Sequence, residues 1–147
     1  MQRIGSILVV IAWLVFLASL ALPAVQFHDS EPLVGWYAGW MAIRLIPGFY
    51  RDWSSLLVAM TGVGNVIIVL MPLALFISSG RVHKLLASFF FVVFLIASAF
   101  YFDSTGYAAG YYLWVASFLC ASIGFGILSG VSPHNKRLQG DTAPPRS

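Results

Sequence analysis

The sequence predicts an all-α membrane protein, a four-helix transmembrane bundle with a short interfacial helix in its first outer loop. Of the 147 residues 60% are hydrophobic and only 9% are charged, whereas soluble domains carry about 25% charged residues. The apolar residues gather in four runs, each long enough to cross a hydrocarbon core of about 30 Å. The Lys and Arg residues flank these runs mostly on one side, as they do in multi-pass membrane proteins.

The first apolar run, residues 4–22, contains no charged residue. As a helix it would be about 28 Å long, and Pro23 would end it because its ring blocks further helical hydrogen bonds. A secretory signal peptide with a cleavage site at Ser19-Leu20-Ala21 is the alternative. The run is longer than the usual apolar region of about 7–15 residues in such peptides, and Trp13 lies in its middle. We therefore expect a retained span.

The connection after this span contains a second helical pattern. In residues 33–46 Trp36, Trp40 and Ile43 recur at helical spacing. The segment is too short to span a membrane, and it carries Arg44. A short helix rich in Trp and Tyr is typical of the membrane interface, with its apolar face toward the lipid. A re-entrant dip is the alternative.

Three further apolar runs predict the remaining spans, at residues 54–77, 82–102 and 108–128. Pro72 lies near the end of the first of these and lacks a backbone N–H, so we expect a bend there. The transmembrane bundle then comprises residues 1–130. The polar residues 131–147 predict a flexible cytoplasmic tail because they hold too few apolar side chains to form a core.

The basic turn at residues 78–84 sets the predicted orientation, because Lys and Arg in short loops favour the cytoplasmic side. With this turn inside, six of the eight basic residues are cytoplasmic, namely Arg3, Arg81, Lys84, Lys136, Arg137 and Arg146, and two are outside, Arg44 and Arg51. Both termini are then cytoplasmic. His83 in the turn is interpreted as a cytoplasmic interface residue.

The Trp and Tyr side chains are concentrated at the other side. Of the eleven, all but Trp13 fall near the outer ends of the predicted helices or in the first loop. Anchoring at the headgroup level and packing of the interfacial helix would explain this distribution. A docking surface for lipid or for a membrane-protein partner is the sharper hypothesis, with the candidate residues Trp36, Tyr37, Trp40, Trp53, Tyr111 and Trp114.

A few polar or small residues lie at depth. Thr61, Asn65 and Ser117 are interpreted as intramembrane packing residues, since hydrogen bonds between helices fix their arrangement. A cavity lined by Asn65 is the alternative. In the fourth span Ala116, Cys120 and Gly124 recur every four residues. Such a stripe allows close helix contact, either inside the bundle or at a seam between two copies of the chain.

Several classes of function are disfavoured. The interior of each span lacks Asp, Glu, Lys, Arg and His, whereas ion-coupled transporters usually carry such a residue at depth. No nucleophile and base occur in a recognisable pattern, and we expect no enzyme activity, cofactor or metal. The loop residues His28, Asp29 and Glu31, with Asp103, are interpreted as solvated, and an enzyme using them is the alternative. The net charge of +3 reflects membrane sidedness and not nucleic-acid binding.

Three short stretches carry a resemblance: Leu22-Pro23-Ala24, Gly35-Trp36, and Gly110-Tyr111-Tyr112-Leu113-Trp114. They resemble those of a diffuse class of small four-helix bacterial inner-membrane proteins over roughly the first 130 residues. The resemblance implies fold and location, and it implies no activity. From the residues we expect a non-enzymatic accessory or assembly factor that engages lipid or a membrane partner through its aromatic outer face. A small transporter or channel component with a cavity near Asn65 is the alternative.

Overall fold

The computed structural model describes residues 2–25, 31–44, 53–77, 79–100, 106 and 108–130. Over these residues the chain forms five helices and two very short strands: α1 (Gln2–Ala21), β1 (Pro23–Val25), β2 (Leu33–Val34), α2 (Gly35–Arg44), α3 (Trp53–Ala74), α4 (Gly80–Phe100) and α5 (Ala109–Gly130). The predicted all-α class is confirmed, and α1, α3, α4 and α5 are long and apolar enough to cross a membrane. Their ends lie within three residues of the predicted segments.

Neighbouring long helices run in opposite directions. One end of the bundle therefore combines the starts of α1 and α4 with the ends of α3 and α5, and we call it the basic end because Arg3, Arg81 and Lys84 lie there. The opposite end is covered by α2 and is called the aromatic end. The predicted tail, residues 131–147, lies outside the described residues.

Helix α5 packs most extensively against α1 and α4. Near the basic end the backbones of α1 and α5 almost touch. A Cβ atom added to Gly124 would lie 2.8 Å from Val9 Cγ2 and 3.1 Å from the backbone oxygen of Gly5. Since no side chain fits in this space, glycine at position 124 permits the close approach of the two helices.

The interface between α4 and α5 is built from phenylalanine rings. Phe90 of α4 stacks on Phe118 and Phe125 of α5, with ring centroids 6.1 and 6.0 Å apart. All three side chains are fully buried. The rest of the core surrounds them with residues from the long helices, namely Val9, Ala12, Phe16, Ile68, Met71, Val93, Ala121 and Leu128. The half of the bundle toward the basic end is therefore closely packed.

A short antiparallel ladder between β1 and β2 organises the aromatic end. The N–H of Gly35 donates to the carbonyl oxygen of Leu22 at 2.9 Å, which attaches the start of α2 to the end of α1. The N–H of Ala108 donates to the carbonyl oxygen of Ala24 at 3.1 Å. This small ladder, which we did not predict, thus joins three helices.

The position of His83 at the basic end differs from expectation. His83 is buried, with Nε2 3.4 Å from the carbonyl oxygen of Ala74 and its ring stacked on Phe125. The first turn of α4 covers the end of α3, so His83 lies in the core and not at the surface. Helix α3 continues through Pro72 only to Ala74, and the next residues form tight turns such as Leu75 N–H to the carbonyl of Pro72.

Candidate functional site

Helix α2 lies across the aromatic end in direct backbone contact with its neighbours. A Cβ atom added to Gly62 of α3 would lie 2.6 Å from the carbonyl oxygen of Ala42 in α2. At the other end of α2, Gly35 abuts the carbonyl oxygen of Ser19 in α1. Glycine at positions 62 and 35 therefore allows α2 to pack closely against α3 and α1. Helix α2 in this position forms one wall of a cavity.

The cavity has a volume of about 230 Å³ and lies between α1, α2, α3 and α5. Most of its wall is made of small or apolar residues, namely Ala24, Gly35, Ala38, Gly39, Ala42, Val58 and Gly110. Five residues with polar atoms complete the wall: Ser19, Thr61, Asn65, Tyr111 and Trp114. Such a mixture of an apolar wall and a few polar groups is typical of small-molecule sites.

Asn65 and Trp114 form the central polar contact. Trp114 Nε1 donates a hydrogen bond of 2.7 Å to Asn65 Oδ1. Because the indole N–H is a donor only, the oxygen of the amide must face it, and this fixes the orientation of the side chain. Asn65 is only 4% exposed, and its Nδ2 has no hydrogen-bond partner among the described residues. The asparagine therefore presents two buried and unused N–H donors.

The hydroxyl groups of the cavity wall already donate hydrogen bonds to backbone carbonyl oxygens. Ser19 Oγ donates to the carbonyl of Phe16 at 2.6 Å, and Thr61 Oγ1 donates to the carbonyl of Val58 at 2.8 Å. Such bonds stay within one helix and leave the hydroxyl hydrogen unavailable to a ligand. The Tyr111 hydroxyl donates to the carbonyl oxygen of Ala97 in α4. Among the described residues that line the cavity, Asn65 alone has an unpaired donor.

An apolar groove of about 270 Å³ lies on the other side of Asn65. Six of its lining residues are apolar or aromatic, namely Phe16, Leu20, Trp36, Trp40, Ile43 and Val69. Gly39 and Asn65 line both the groove and the cavity. The two spaces therefore meet at the asparagine amide, beneath the middle of α2.

The six candidate surface aromatics divide into two groups. Trp36, Tyr37 and Trp40 of α2 are 59%, 41% and 52% exposed. Tyr111 is buried and Trp114 is half-buried, and both turn toward the bundle. The side chain of Trp53 lies outside the described residues. Of the candidate rings that the structure describes, the exposed ones therefore belong to α2, whereas Tyr111 and Trp114 of α5 contribute to the cavity wall. Tyr112, which was not a candidate, is a further exposed ring of α5 at the aromatic end.

The candidate packing residues gather around Trp114. Ser117, which is fully buried, donates to the carbonyl of Trp114 at 2.6 Å, and Thr61 lies one turn from Asn65 on α3. The small residues of α5 are not brought together on one face. Gly124 is buried against α1, Cys120 is half-buried, and Ala116 is exposed.

The loop residues interpreted above as solvated are only partly described by the structure. No group of three or more His, Cys, Asp and Glu residues occurs in the part of the chain that the structure covers. Glu31 is exposed, and His28, Asp29 and Asp103 lie outside the described residues. The cavity and the groove are therefore the features from which a function is argued.

Comparison with known proteins identifies no relative. No protein-family model, no curated protein and no solved structure matches this chain.

Proposed function

We propose that this chain is a non-enzymatic multi-pass protein of the bacterial cell inner membrane, an accessory or assembly factor that binds lipid through its aromatic outer face. The four long apolar helices support the membrane location. The exposed rings of α2 and the apolar groove beside them support lipid as the ligand. A membrane-protein partner at the same surface is the alternative that the experiment below separates.

The observation that carries the proposal is the position of the exposed aromatic residues. Trp36, Tyr37 and Trp40 lie on one short helix, and the two tryptophans also line the groove that leads to Asn65. Tryptophan and tyrosine combine an apolar ring with a polar group, and they favour the headgroup level of a bilayer. A lipid that inserts a chain into the groove would contact both tryptophan rings.

The fold also supports the orientation in which the aromatic end faces outward. Arg3, Arg81 and Lys84 lie at the opposite end of the bundle, and cytoplasmic loops are enriched in such residues. Both termini are cytoplasmic in this arrangement. The groove then opens toward the outer leaflet.

Substitution of the α2 tryptophans tests the lipid-binding proposal. Trp36→Ala or Trp40→Ala should weaken lipid binding on the order of tenfold, because each removes apolar ring area from the groove. The measurement is the lipid that co-purifies with the protein in mild detergent, quantified by mass spectrometry. Leu95→Ala is the matched control, since Leu95 is also about half exposed but lies on α4, away from the groove.

Three outcomes would contradict specific lipid binding by the α2 tryptophans. Equal losses from Trp36→Ala and Leu95→Ala would mean that the bound lipid is a non-specific belt. Loss of a co-purifying membrane protein with unchanged lipid would replace lipid by a protein partner. Failure of both tryptophan variants to insert would give the rings a structural role only.

A small transporter or channel component is the second candidate, favoured by the cavity that reaches Asn65 from the aromatic end. The close packing of Phe90, Phe118 and Phe125 separates this cavity from the basic end. A small-solute flux in proteoliposomes that disappears with Asn65→Leu would support transport. Its absence would leave the cavity as a binding site.

A further inference from the structure

The unpaired amide nitrogen of Asn65 is the feature that the proposed function leaves unexplained. A buried donor without a partner is costly, and this one cannot be relieved by turning the amide over. A turned amide would place NH₂ against the N–H of Trp114 and lose the 2.7 Å hydrogen bond. The empty site therefore carries a penalty that an incoming hydrogen-bond acceptor would remove.

Gly39 of α2 lies directly beside this nitrogen, which is itself buried. A Cβ atom added to Gly39 would lie 3.6 Å from Asn65 Nδ2 and 3.9 Å from Leu20 Cδ2. Because glycine has no Cβ, no side chain fills the space beside the amide, where the cavity and the groove share Gly39 and Asn65 as lining residues. A small shift of α2 would therefore let an acceptor approach the two free N–H groups.

The lining restricts the chemical class of the ligand. Neither space is lined by Lys or Arg among the described residues, so nothing there would neutralise a phosphate or carboxylate, which is costly to bury unpaired. The groove offers Phe16, Leu20 and Val69 to a hydrocarbon chain. The lining therefore favours a neutral hydrogen-bond acceptor attached to a long apolar chain.

The depth of the site indicates where such an acceptor comes from. Trp114 lies five residues into α5, about 8 Å from its outer end. Asn65 itself lies twelve residues into α3, about 18 Å from the start of that helix. With both helices across the bilayer, as proposed above, the amide lies within the hydrocarbon core below the ester groups at its border, so an ester that binds it must dip inward. Phe16 and Val69 each lie one helical turn farther toward the basic end than Leu20 and Asn65, so the groove continues inward as an acyl chain does.

We propose that this site binds one acyl ester of an outer-leaflet glycerolipid. The ester carbonyl oxygen accepts a hydrogen bond from Asn65 Nδ2, and the acyl chain lies along Phe16, Leu20 and Val69. The inference rests on the proposed lipid-binding function and adds to it the recognised group and the residue that recognises it. Since the contacts are to the ester and the chain, different headgroups are bound alike.

A competition between two lipids isolates the carbonyl. The full-length protein in mild detergent is mixed with equal amounts of diester and diether phosphatidylethanolamine of the same chain length, and the bound species are counted by native mass spectrometry. The diether lipid lacks only the carbonyl oxygens. We expect the wild-type protein to retain the diester lipid about threefold to tenfold in excess, the factor that one neutral hydrogen bond supplies.

Two variants assign this preference to the amide. Asn65→Leu removes the donors, and Gly39→Ala covers them while its methyl group makes only ordinary van der Waals contacts. Both should bring the ratio to about one, and Gly39→Ala should unfold at the same or a higher temperature because alanine favours the helix. A wild-type ratio of one overturns the inference, as does a preference that survives in both variants.

The same spectra separate this inference from the proposed function. If Trp36→Ala and Trp40→Ala reduce total bound lipid while the wild-type ratio is one, lipid binding stands and ester recognition fails. If the ratio is high but the tryptophan variants bind as much lipid as wild type, ester recognition stands and the aromatic face has no part in binding. A wild-type protein that retains no lipid, with water alone satisfying Asn65, overturns both.

Discussion

Trp114 connects the polar and apolar parts of the aromatic end. Its Nε1 donates to Asn65 Oδ1 at 2.7 Å, and its ring packs edge-to-face on Phe118 with centroids 5.2 Å apart. Edge-to-face pairs add to the stability that burial alone provides. One side chain therefore joins α3 to α5 and sets the direction in which the Asn65 amide points.

A double-mutant cycle measures this connection. Trp114→Phe and Asn65→Leu each leave one buried polar atom without its partner, so each should lower the free energy of unfolding by about 1–3 kcal/mol. The double variant should be less destabilised than the sum of the two single variants, by about 1 kcal/mol. It lacks both Trp114 Nε1 and Asn65 Oδ1, so neither atom of this hydrogen bond remains without its partner. Unfolding in detergent provides the measurement, and strictly additive effects would show that the hydrogen bond contributes no stability.

The pairing of these two residues could not be predicted from the sequence. Asn65 was identified as a polar residue at depth, and Trp114 as an aromatic residue near a helix end, each from its own surroundings. They are 49 positions apart, and no local period relates them. The contact depends on how α3 and α5 pack, which hydropathy does not encode.

The face of α5 that contacts α1 could likewise not be predicted from the spacing of residues within one helix. Spacing of four residues suggested one stripe of Ala116, Cys120 and Gly124, but an α-helix has about 3.6 residues per turn. Each step of four therefore rotates by about 40° beyond a full turn. Gly124 faces α1 while Ala116 is exposed. The lengths of the long helices could be predicted because they follow from the lengths of the apolar runs. The ladder of β1 and β2 could not, because strands of three and two residues leave no alternating pattern in the sequence.

Two glycines of α5 provide a matched test of this interface. Gly124→Ala would place a methyl group 2.8 Å from Val9 Cγ2 and 3.1 Å from two backbone atoms of α1. Because backbone cannot give way cheaply, we expect a loss of about 1–3 kcal/mol from overpacking. Gly126→Ala, with nothing within 4 Å of the added atom, should leave stability unchanged or raise it. The measurement is thermal unfolding of both variants in the same detergent. Equal effects of the two substitutions would contradict the close contact of Gly124 with α1.

In the whole molecule the basic residues named above lie at one end of the bundle, and the aromatic helix α2 lies at the other. The antiparallel order of α1, α3, α4 and α5 places Arg3 at the same end of the bundle as Arg81 and Lys84. The basic end is closely packed, and the cavity and the groove lie near the aromatic end. The site proposed above therefore lies near one end of the bundle, and the closely packed core lies toward the other.

The orientation of the molecule is testable with single cysteines in the full-length chain. With Cys120→Ala as the background, Glu31→Cys lies at the aromatic end and Arg81→Cys at the basic end, and both positions are exposed. A membrane-impermeant maleimide added to intact spheroplasts should label Glu31→Cys at once and Arg81→Cys only after the membrane is opened, because basic loops stay in the cytoplasm. A reporter fused after Ser147 should then be active in the cytoplasm. The reverse labelling pattern would turn the groove toward the inner leaflet. It would leave the chemistry of Asn65 intact but change the leaflet that supplies the ester.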